Sequence, residues 1–114
     1  ASYQPIAHQP LLQASLASGD RTQLGAIVHS CRKAGAEAVA IVDVASKLLA
    51  ADGPAAQELV TVAGSKGLSE SATLIGVAGM VMDGFRIPIG ADPPLGYLIA
   101  AEHGRPGLAS ASPG

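Results

Sequence analysis

From Arg21 to Ala34 the apolar positions are Leu24, Ile27, Val28, Cys31 and Ala34. Steps of three and four residues put them on one face of a helix. Asp20 precedes the run as an N-cap, with Gln23 three residues on in a variant of the capping box. Arg32 and Lys33 fall in the last turn, where they complement the helix dipole, and Gly35 suits the position after it. A shorter helix is predicted from Pro10, tolerated in a first turn, to Ser18, with Gly19 ending it. The pattern then changes period. Val39-Ala40-Ile41-Val42-Asp43-Val44 is a β-branched run, followed by a polar turn at Ala45-Ser46-Lys47 and a return strand from Leu48. This is a β-hairpin. Val39 and Ile41 are expected to face one layer, and Ala40 and Val42 the other.

Asp52-Gly53-Pro54 opens another helical stripe at Ala56, Leu59, Val60 and Ala63. Asp52 or Gly53 is its expected cap, and Pro54 stands near its first position. Gly64 and Gly67 weaken its end. Ser69-Glu70-Ser71 reads as one more turn or a loop. For Thr73 to Met82 the periodicity allows helix or strand. Gly76 and Gly79 argue against an exposed helix. A second hairpin signal lies at Met80-Val81-Met82-Asp83-Gly84-Phe85-Arg86-Ile87, where Asp-Gly separates two apolar runs as a type I′ turn requires. The return strand runs from Phe85 to Ile89, with Pro88 placing it at an edge or a bulge. Residues 91–96 form a loop, and Tyr97 to Ala101 a closing strand. The expected domain is 10–102, after a loosely held segment 1–9 and before a disordered tail 103–114. The fold class is α+β, with helices packed on a roughly five-stranded antiparallel sheet. Were Thr73–Met82 helical, the chain would instead be an Ala-rich helical bundle.

Composition narrows the function classes. Hydrophobic residues make up 48% of the 114 residues and charged residues 14%, which excludes disorder throughout. Aromatic residues are 3%, so Val, Ile and Leu must supply most of the burial energy. The net charge of −2, with scattered Lys and Arg, gives nucleic acid no electrostatic footprint. The single Cys31 allows no intrachain disulfide, which fits a reducing compartment. No apolar run reaches the roughly 18–20 residues of a membrane span. The opening ASYQPIAHQP has neither a basic region nor an apolar core of a signal peptide. The expected location is the cytoplasm.

Candidate chemistry is sparse, and no catalytic, cofactor-binding or metal-ligating set is assigned. His29 and Cys31 form a His-x-Cys pair, but residues two apart on a helix point about 200° apart and do not converge on one ion. Cys31 is expected in the core, and His29 in solvent. His8 and His103 fall in the terminal segments. Asp43 could act as a base or ligand, but an Asx-type turn explains it better. Glu37, Asp83, Asp92 and Glu102 show no spacing that pairs two carboxylates. Gly64-Ser65-Lys66-Gly67 lacks the Walker A pattern and reads as a helix C-terminus with left-handed glycines. Gly76-Val77-Ala78-Gly79 reads as an oligomer contact or as a strand beneath a helix.

The element order, with VAIVDVASKLLAADG and MVMDGFRIPIGADPPLGYLIAA, resembles the Roadblock/dynein-light-chain family from about Asp20 to Glu102. The resemblance implies a non-enzymatic homodimer whose sheets pair edge to edge. It also implies a helical face presented to a partner protein such as a small GTPase. The first hairpin is also similar to that of the GlcG/heme-binding family, although Ala45-Ser46-Lys47 replaces a Gly-containing turn. That second resemblance implies a heme- or cofactor-binding accessory protein. With no cofactor assigned, the leading expectation is an interaction module.

Overall fold

The computed structural model describes residues 3–90 and 93–103. Its elements, in chain order, are α1 (Gln4–Ala7), α2 (Pro10–Ser18), α3 (Arg21–Lys33), β1 (Ala38–Asp43), β2 (Leu48–Asp52), α4 (Ala56–Lys66), β3 (Thr73–Val77), β4 (Met80–Ile89) and β5 (Gly96–His103). The five strands form one antiparallel sheet in the order β2-β1-β5-β4-β3. The fold is α+β, and Thr73–Val77 is a strand. The helical-bundle alternative is therefore excluded.

Helices cover both faces of the sheet. On one face Leu12, Leu24, Ile27, Val28 and Cys31 from α2 and α3 pack with Val39, Ile41, Ile87, Ile89 and Leu98. On the other, Leu59 and Ala63 of α4 pack with Val42, Ile75, Val77, Met82 and Ile99. Inner strand β1 is buried on both sides because its alternate residues serve both layers: Val39 and Ile41 the first, Ala38 and Val42 the second. Asp20 caps α3 by accepting from the Gln23 amide at 3.1 Å. Gly19 and Gly67 end α2 and α4 in the left-handed conformation.

Four expectations need correction. The second hairpin does not turn at Asp83-Gly84. It turns at Ala78-Gly79, with φ of 54° and 75°, and Asp83-Gly84 lies inside β4. Gly84 serves space rather than conformation: a Cβ there would meet Ile75 Cδ1 at 2.6 Å and Leu68 Cδ1 at 3.0 Å. The cap of α4 is Ala55, at φ 61°, and not Asp52 or Gly53. Asp52 is instead the last residue of β2, where its carboxylate faces α3.

The segment expected to be loosely held carries α1, and Tyr3 and Ala7 are buried in the core. His103, assigned to the tail, is the last residue of β5, and its Nε2 lies 3.4 Å from Glu37 Oε1. The rest of that tail, 104–114, lies outside the described residues. Pro88 fits its expected edge position. β3 pairs only with Met80–Gly84, so β4 beyond Gly84 has a free side. The Arg86 amide points to that side and donates to the Ser69 carbonyl at 2.7 Å. Two residues on, the missing N–H of Pro88 faces the same side and breaks no ladder.

Candidate functional site

The two sheet edges differ. β2 lies under α3, and its Asp52 is tied to that helix through His29 and Arg32. β3 ends the sheet on the other side with no further strand among the described residues. Its face toward the α1–α3 layer is also uncovered. Leu74 and Val81 are each 69% exposed, and Gly76, the register partner of Val81, has open space above its Cα. Met80 adds a third exposed apolar side chain at the hairpin. Leu74 and Val81 on one face beside an unpaired strand edge form a contact surface, while Met80, the register partner of buried Val77, stands on the α4 side. Glu58 of α4 steadies this hairpin by accepting from the Ala78 amide at 3.1 Å.

A second feature lies on the α4 face. The alternation of β4, with Met82 and Gly84 facing α4, directs Arg86 toward this layer. Its guanidinium carbon sits 3.7 Å from the centre of the Tyr97 ring on neighbouring β5, a cation–π contact. No ion pair to Arg86 occurs among the described residues. Beside it is a groove of about 480 Å³ bounded by Leu68, Pro88 and the Ser69–Ser71 loop. A smaller hollow of about 240 Å³ lies toward Gly64, Gly67 and Ile99, and Arg86 lines both.

The residues singled out from the sequence separate in space. Cys31 is fully buried, and desolvation pushes its thiol pKa up to about 11. His29 stands on the exposed side of the same helix, its Nδ1 3.0 Å from Asp52 Oδ2, so the two residues do not share a site. This hydrogen bond, with help from the Gly53 amide and Arg32, holds the Asp52 carboxyl below its ordinary pKa. Asp43 makes the expected Asx-type turn, its Oδ1 accepting from the Ala45 and Lys47 amides at 2.8 and 2.9 Å. His8 is exposed at the end of the N-terminal turn. Gly64 to Gly67 closes α4 rather than cradling a phosphate.

Two relationships had no signal in sequence spacing. Asp83 and Glu102 are direct register partners across β4 and β5, so two carboxylate-bearing positions are adjacent after all. Buried Glu102 also accepts a hydrogen bond from Tyr3. Asp92 lies outside the described residues. No group of three or more His, Cys, Asp or Glu among the described residues could hold a metal ion. No helix among them is long and apolar enough to cross a membrane.

No family model matches the chain, and no curated protein matches it.

Proposed function

We propose that this protein is a non-enzymatic interaction module that forms a homodimer by pairing β3 edges, as a Roadblock-like domain would. The supporting observation is the open edge of β3 with Leu74, Val81 and Met80 exposed beside it. Two copies related by a two-fold axis would pair these strands antiparallel into one continuous sheet and bury the apolar patches against each other. This edge is favoured over the face of α4, because α4 already uses Ala56, Leu59 and Ala63 against its own sheet. The partner protein, a small GTPase on this reading, would meet the α1–α3 layer. There Leu11 is 53% exposed beside a hollow between α2 and α3.

Light scattering at micromolar concentration tests the dimer. The expected mass is twice 11.3 kDa. Leu74→Lys with Val81→Glu should return the mass to one chain while the far-ultraviolet circular dichroism stays unchanged. A monomeric wild type would overturn the reading.

A further inference from the structure

α4 is 11 residues long and covers only part of its face of the sheet. The part left open is the groove floored by Arg86, Pro88 and Tyr97. It is an open groove of about 480 Å³. Its chemistry is specific in three respects. Tyr97, Leu68 and Pro88 offer apolar and aromatic surface to a flat body. The Arg86 guanidinium is held against the Tyr97 ring, so it is oriented before any ligand arrives. Its donors form the planar fork that matches a carboxylate with two parallel hydrogen bonds.

The surroundings limit the charge of the ligand. The C-terminal end of α4, with its partial negative charge, borders the adjoining hollow. That helix end disfavours a polyanion, so the groove suits a ligand with a single carboxylate. We propose that this groove binds a small aromatic monocarboxylate, its carboxylate on Arg86 and its ring on the Leu68–Pro88–Tyr97 surface.

Benzoate, benzamide and inorganic phosphate, titrated separately into the 15N-labelled full chain, test this assignment. Benzoate should shift the backbone amide signals of Ser71, Arg86 and Tyr97 saturably. Benzamide, which keeps the ring and loses the charge, should bind about tenfold more weakly or worse, and Arg86→Gln should weaken benzoate by a similar factor. Because Arg86→Gln also removes the contact to Tyr97, Ser71→Glu provides a second variant. Ser71 is exposed on the rim, so an added carboxylate there should weaken benzoate severalfold without altering the fold. Should Arg86→Gln fail to fold by circular dichroism, Ser71→Glu decides. Absence of saturable shifts, equal binding of benzoate and benzamide, or undiminished binding to Ser71→Glu overturns the proposal. So does phosphate acting on the same signals as strongly as benzoate.

Discussion

Tyr3 donates its phenolic hydrogen to Glu102 at 2.8 Å, joining residues 99 positions apart. The same ring meets Phe85 of β4 edge-on, with centroids 5.8 Å apart. The N-terminal turn is thereby fastened across β4 and β5. Burial, with Glu102 beside it, pushes the Tyr3 hydroxyl well above its ordinary pKa.

Tyr3→Phe should therefore cost about 1–3 kcal/mol, since it keeps the ring packing and removes a hydrogen bond from a buried carboxylate. Denaturant unfolding measures it. The pH dependence has a defined sign: a hydroxyl whose folded pKa is raised stabilises the fold fully below its unfolded value of 10.0. That contribution falls as pH climbs toward the folded value. Tyr3→Phe should lose less stability than wild type on alkaline titration.

The position of the second hairpin turn can be read from glycine and alanine exchanges. Ala78→Gly should stabilise by up to about 1 kcal/mol, because Ala78 holds a left-handed conformation that glycine adopts freely. Gly84→Ala should destabilise by about 1–3 kcal/mol, because the added methyl overlaps Ile75 and Leu68. The opposite order of effects in thermal melts would return the turn to Asp83-Gly84.

Asp52 contributes to acid stability through His29 first, then the Gly53 amide and Arg32. Its folded pKa is lowered, so the contribution is present above the unfolded value of 3.8 and is lost as pH falls through the folded one. The difference in melting temperature between wild type and Asp52→Asn should shrink on acidification through that range. A difference that holds constant from neutral to strongly acid pH would show that the pairing with His29 does not shift the titration.

Cys31 should react with a thiol reagent slowly in the native state and rapidly in denaturant. It is fully buried, and its thiol pKa near 11 leaves little thiolate at neutral pH. Rapid native labelling would place the sulfur at the surface and contradict the packing of α3 on the sheet.

Local signals carried the elements they govern. The Leu24–Cys31 spacing, the Asp20 cap and the Gly67 terminus depend on neighbours within a few residues, and the helices stand where those residues put them. Val39–Val42 specified a strand buried on both faces because each of its alternate positions is apolar. Asp43 specified its own turn because its carboxylate reaches the amides two and four residues on. The hairpin beyond Val77 misled for the same local reason. Asp-Gly is the stronger turn signal, yet Gly84 is held in β4 by the space that Ile75 and Leu68 leave it.

The candidate surfaces were not legible in this way. Pro88 signalled an edge in β4, but only the register of β3 shows that the edge begins beyond Gly84. Leu74 and Val81 read as ordinary strand residues until the strand order places β3 last. Arg86 meets Tyr97 because β5 inserts between β1 and β4, and Tyr3 reaches Glu102 for the same reason. The sequence by itself determined α2, α3 and α4, the first hairpin and the α+β class, since caps, turns and alternation act over a few bonds. The tertiary structure alone decided which edge stays open and which side chains meet, because strand order and register depend on how distant apolar faces bury one another.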